Sequence, residues 1–169
     1  IDAVINLIDS ADVYGEGESE RILGEALARN GKRKNVFITS KVFMRTGPGP
    51  NEAGNSTHHI LESCEASLKR LRTDYIDIYF LHRTDFDIPQ EESLGALDLL
   101  VKQGKVRYIG SSTHPAWRVV EALWISDRNH TPKFVCEQPP YNLLDRRVEN
   151  ELIPMCRAYD LGLLTWSPL

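Results

Sequence analysis

Four side chains in this sequence, Asp9, Tyr14, Lys41 and His82, together have the chemistry to pass a proton to a carbonyl oxygen. A tyrosine phenol has a pKa of about 10, so it donates poorly at neutral pH unless something stabilises the phenolate it leaves. The ammonium of Lys41 can do so, and the carboxylate of Asp9 can hold that ammonium charged in surroundings otherwise too apolar for it. His82 can donate a hydrogen bond to the carbonyl oxygen and fix its orientation. A carbonyl polarised in this way lacks only a hydride, which side chains cannot supply and a nicotinamide can. Each residue alone has a bland reading: a turn or cap for the aspartate, a solvated lysine, a satisfied structural histidine. Their placement argues for more, because Asp9, Lys41 and His82 stand at the ends of three successive apolar runs and Tyr14 lies in the loop after the first.

Those runs are β-branched or aromatic and cover residues 4–9, 36–40, 76–81, 106–110, 134–138 and 163–167, each apolar enough for a strand buried on both faces. Amphipathic segments separate them. Ser19 is expected to cap a helix that stops at Asn30-Gly31, and Ser56 a second one. Pro89 opens a third and Pro115 a fourth, while a fifth is expected over 145–159, interrupted at Pro154. Strand starts recur at about 30 residues, with one longer interval, which is the length of a βα unit and implies parallel strands covered by helices. A doubly wound open sheet and a (β/α)₈ barrel share this rhythm. The open sheet normally carries a Gly-rich phosphate fingerprint after its first strand, whereas here "SADVYGEGE" lacks the third glycine and bears glutamates that would repel a phosphate. In parallel α/β folds the site lies at the C-terminal ends of the strands, where the four residues sit. The breaker-rich stretch "RTGPGPNEAGN" (45–55) reads either as an insertion shaping a pocket rim or as a plain solvent loop.

Composition narrows the rest. With 41% hydrophobic and 26% charged residues and a net charge of −4, the chain has the make-up of a globular domain with no general attraction to nucleic acid or anionic membrane. No stretch approaches the roughly 20 apolar residues of a membrane helix. Three widely spaced cysteines, Cys64, Cys136 and Cys156, read as packed thiols in a reducing, cytoplasmic compartment. His58 and His59 are adjacent and face different ways on a helix, and His82, His114 and His130 show no ligand spacing, so no metal site is expected. No Gly-x-Ser-x-Gly occurs to support a serine nucleophile.

The segments "INLIDSADVYGEGESERILGEAL", "VFITSKV", "DYIDIYFLHR", "GKVRYIGSS", "EQPPYNLLDR" and "LLTWSPL" resemble, in unbroken order, the aldo-keto reductases, including the group that contains the potassium-channel β subunits. The resemblance implies a TIM barrel, (β/α)₈, that uses NADPH without a Rossmann motif. It makes Tyr14 the general acid, Lys41 the residue that eases loss of its proton, Asp9 the partner of Lys41, and His82 the group that orients the carbonyl. It further implies that Ser112, Thr113 and Gln138 hold the nicotinamide carboxamide, that Trp166 stacks on the nicotinamide ring, and that Ser167 and Leu169 begin a pyrophosphate-binding loop. Thr113 departs from the family's asparagine, and a hydroxyl cannot match an amide's paired donors and acceptor.

On that pattern residues 1–169 form a single barrel domain, incomplete at both ends, with six of the eight strands, the second to the seventh. The expected reaction is NADPH-dependent reduction of a small-molecule aldehyde or ketone to an alcohol, reversible with NADP⁺. A nucleotide-binding regulatory or redox-sensing subunit with little turnover is the alternative, and an inactive fragment the third reading. A homo-oligomer is left open, as is the identity of the carbonyl.

Overall fold

The computed structural model describes residues 5–169. Six strands, β1 (Leu7–Asp9), β2 (Phe37–Val42), β3 (Ile76–Leu81), β4 (Val106–Ser112), β5 (Phe134–Gln138) and β6 (Gly162–Leu163), pair in parallel in chain order. Helices α1 (Glu18–Asn30), α2 (Thr57–Leu71), α3 (Gln90–Lys102), α4 (Ala116–Asn129) and α5 (Leu152–Ala158) fill the connections. This is the βα alternation of an incomplete (β/α)₈ barrel. The sheet curls, because Gln138 at the end of β5 reaches Asp9 at the end of β1, 129 positions away.

Strand parity sorts the side chains. Asp9 registers with Thr39, Lys41 with Phe80 and Phe80 with Gly110, and Ser112 with Gln138, which places these residues on the inner face. Ile38, Tyr79 and Ile109 point the other way and join Ile60, Leu68, Leu97 and Val119 in one core between sheet and helices. Burying each such aliphatic side chain stabilises the fold by about 1.5–3 kcal/mol. Gly110 is required by a close approach, since a Cβ there would lie 2.6 Å from Phe80 Cε1. The Ser56 cap forms, its hydroxyl accepting from the His59 N–H at 3.3 Å, and α1 stops at Gly31 in the left-handed region.

Several expected boundaries move. Val4, the expected start of the first strand, lies outside the described residues, and β1 begins at Leu7. β2 and β4 run past the expected 40 and 110, so the ladder itself carries Lys41 and Ser112. Ser19 is not a cap: α1 starts from Gly17 at φ 84°, and the Ser19 hydroxyl accepts from Ser10 Oγ at 3.0 Å instead. The fifth helix spans only Leu152–Ala158, because the Asn142 and Asp145 side chains capture the backbone N–H groups of Leu144, Asp145 and Arg147. Pro154 falls in the first turn of α5, where its missing N–H costs nothing, so it does not interrupt the helix. β6 is shorter than 163–167 and continues only as a bridge between Pro140 and Trp166, since Pro139 and Pro140 bring no N–H to a ladder.

Candidate active site

Lys41 is fully buried, and its ammonium has three donors to place. One goes to Asp9 Oδ2 at 2.7 Å, one to the Ser10 carbonyl at 2.7 Å, and one to Tyr14 Oη at 3.4 Å. The pair is compensated from the other side as well, because Asp9 Oδ1 accepts from Thr39 Oγ1 and from Gln138 Nε2 at 3.1 Å. A buried ion pair of this kind holds only when its remaining hydrogen-bonding capacity is met, as it is here.

Tyr14 sits in the turn from β1 to α1, its N–H bonded to the Ala11 carbonyl at 3.2 Å, and its side chain stays 39% exposed. Across from it, His82 follows β3 directly, with ring centroids 5.9 Å apart and edge-to-face. Burial, then the cations of Lys41 and Arg83, push the His82 imidazole down to about 4, so at neutral pH the ring is uncharged. Its Nδ1 is buried and has no partner among the described residues.

A cavity of about 320 Å³ opens between them, lined by Tyr14, His82, Arg83, Ser112, Gln138 and Trp166, with Val13 and Met44 as its apolar wall. Met44 stands at the base of the 45–55 loop, which folds back on itself: Arg45 donates to the Gly47 and Gly49 carbonyls and Glu52 accepts from the Gly49 N–H. Larger grooves of about 670 and 810 Å³ lie beside the 145–152 segment and beside α4, but neither sets a phenol beside an imidazole as this one does.

The family model described as the aldo/keto reductase family matches residues 1–169. The chain belongs to that family. It is 41% identical over 170 residues to a probable voltage-gated potassium channel subunit beta of Oryza sativa subsp. japonica, covering 99% of this chain and 52% of the relative. It is 38% identical over 192 residues to aldo-keto reductase AMT2 of Alternaria alternata (99% and 52% covered), and 38% over 179 residues to a versiconal hemiacetal acetate reductase of Aspergillus parasiticus (95% and 52%). The chain spans about half the length of the curated relatives it matches.

Within this aldo/keto reductase chain, Ser112, Gln138 and Trp166 line the same cavity as the phenol. Ser112 Oγ donates to the Gln138 carbonyl at 2.9 Å and lies 3.5 Å from Thr113 Oγ1, while Gln138 Nε2 donates to Asp9; a Ser112 lone pair and the Gln138 side-chain oxygen remain to accept from an amide. Thr113, in the left-handed region at φ 55°, lies outside the cavity lining; its hydroxyl oxygen accepts from Trp166 Nε1 and from Arg83 Nη1, both at 3.2 Å. Ser167 and Leu169 are not drawn into the cavity: the Ser167 carbonyl accepts from Asn142 Nδ2 at 2.9 Å, and Leu169 is exposed.

Three residues escaped sequence reasoning. Thr39 steadies Asp9, and its only signal was strand parity. Arg83 lines the cavity, although an arginine after a strand is ordinarily solvated. Glu137 is fully buried, accepts from Ser111 Oγ and from the His114 N–H at 3.0 Å, and is pushed up to about 7 by burial. A carboxylate inside an apolar strand was the signal for it. With the His114 ring held to the Ser112 carbonyl at 3.0 Å, it ties down the turn from β4 to α4 that presents Ser112. Among the described residues no cluster of His, Cys, Asp and Glu has the geometry to hold a metal.

Proposed function

We propose that this chain carries the proton-transfer site of an NADPH-dependent reductase of aldehydes or ketones. The observation that carries the reading is Lys41 Nζ, tied to Asp9 and 3.4 Å from Tyr14 Oη, facing His82 across one cavity. A bound substrate's carbonyl oxygen lies between the phenol and the uncharged imidazole. His82 donates a hydrogen bond to it and fixes its direction. Tyr14 gives up its phenolic proton as negative charge develops on that oxygen, and the Lys41 ammonium stabilises the phenolate left behind. Asp9, held by Thr39 and Gln138, keeps the ammonium charged and aimed. In the reverse direction the phenolate takes the proton of an alcohol. Ser112, Gln138 and Trp166 fit a nicotinamide, offering lone pairs for its carboxamide and an aromatic face for its ring. When bound, the reduced nucleotide supplies the hydride. The buried free thiols of Cys64, Cys136 and Cys156 support a reducing, cytoplasmic setting.

Tyr14→Phe tests this. NADPH oxidation in the presence of aldehydes should fall about 10²–10⁴-fold, the usual worth of a positioned acid, while nucleotide fluorescence still reports binding. Retained turnover would defeat the assignment. The relatives named as channel β subunits favour a second reading, in which the same site binds nucleotide and turns over slowly as a regulatory or redox-sensing subunit. A steady-state assay across a panel of aldehydes separates the two.

A further inference from the structure

We propose that Arg83 is an anion-binding residue of the substrate site, so that the preferred carbonyl substrates carry a carboxylate. This rests on the reading of the cavity as a carbonyl site. Arg83 follows His82 immediately and lines the same cavity as Tyr14 and His82. Its Nη1 is anchored, donating to the His82 carbonyl at 2.7 Å and to Thr113 Oγ1 at 3.2 Å. The guanidinium also lies 5.8 Å from the centroid of the Trp166 ring, which braces it further. Its Nε and Nη2 make no hydrogen bond and its charge no ion pair among the described residues, leaving the edge that grips a carboxylate with two parallel N–H bonds.

The charges around it make that edge attractive to an anion. None of the residues lining the cavity is acidic. Lys41 is matched by Asp9, whose carboxylate is turned to Lys41, Thr39 and Gln138. Glu137, behind the wall, is fully buried and spent on Ser111 and His114. Arg83 and Glu137 feel each other's charge but form no ion pair. A cation with no ion-pair partner in a concave wall raises the local concentration of anions, and an arginine already held at one nitrogen loses less freedom on binding one.

The test compares 4-carboxybenzaldehyde with its neutral methyl ester in the purified protein with NADPH. The ratio of kcat/KM values, acid over ester, should exceed unity by about ten- to hundredfold, as expected for a hydrogen bond to a charged group. It should collapse toward unity in Arg83→Gln and fall only partway in Arg83→Lys, which keeps the charge and loses the fork. A wild-type ratio near unity, or a ratio unchanged in Arg83→Gln, overturns the proposal. So does an Arg83→Gln variant whose main defect is weaker NADPH binding. Calorimetric titration of benzoate and benzamide into NADP⁺-saturated protein reads the same subsite without turnover. Benzoate binding that is lost in Arg83→Gln, in a protein that reduces no aldehyde, sinks the reductase reading and leaves the anion site standing. Turnover of aldehydes with no Arg83-dependent preference for the acid and no Arg83-dependent benzoate binding sinks the anion site alone.

Discussion

Asp12, in the turn that also carries Tyr14, is buried, and among the described residues neither of its carboxylate oxygens makes a well-formed hydrogen bond. Burial, and then the charge of Glu20, push its carboxyl from 3.8 up to about 7. Glu20 itself accepts from Arg70 Nε at 2.6 Å and from Ser40 Oγ at 2.5 Å, which fixes the position of its carboxylate. The unfolded chain releases the Asp12 proton above about 3.8 while the folded chain keeps it to about 7, so this residue's contribution to stability is fullest at low pH and falls as pH rises through 7. His82 and His114, both pushed down to about 4, act in the opposite sense, but their effect is complete by about 6.5. Above that pH the carboxyls remain. Asp12→Asn should therefore gain on the wild type by about 1 kcal/mol, or about 2–4 °C in Tm, between pH 6.5 and 8. Equal gaps in thermal melts at the two pH values would show that Asp12 is already ionised in the folded chain. The pattern of residue types at strand ends was legible in the sequence, whereas these shifts were not, because they depend on which carboxylates the fold buries beside one another.

At the scale of elements, α1 and α2 meet backbone to backbone. A Cβ on Gly24 would lie 2.5 Å from the Arg70 carbonyl oxygen, and neither main chain can yield as a flexible side chain would. Gly24→Ala should cost about 1–3 kcal/mol in urea unfolding by forcing the helices apart. Gly95, inside α3, meets nothing within 4 Å, so Gly95→Ala should instead stabilise by about 0.5–1 kcal/mol through helix propensity. The same sign for both substitutions would mean that the contact at Gly24 does not decide the crossing. Both glycines look alike in the sequence. Caps show a similar divide: Ser56 and Gly31 act where local spacing puts them, while Gly17 displaces Ser19 because the tight β1–α1 turn fixes where the first helical residue falls.

On the whole molecule, β1 and β6 are each paired on one side among the described residues, and the inner-face side chains Leu7, Phe37 and Tyr108 are 37%, 49% and 52% exposed. Open edges and an apolar inner face are templates for association. Residues 1–169 expressed alone should self-associate with rising concentration in sedimentation velocity; a monomer with one cooperative thermal transition would show that this sheet is sufficient by itself. The sequence alone determined the βα order, the family resemblance and the residue types of the quartet, because hydrophobic periodicity, glycine and proline punctuation and motif spacing are local signals. Only the tertiary structure decided that Asp9 answers to Gln138 from β5, that the Thr113 hydroxyl is taken by Trp166 and Arg83, and that Arg83 faces the cavity without a carboxylate. The curl of the sheet and the register between distant strands set those contacts, and no local stretch of chain encodes either.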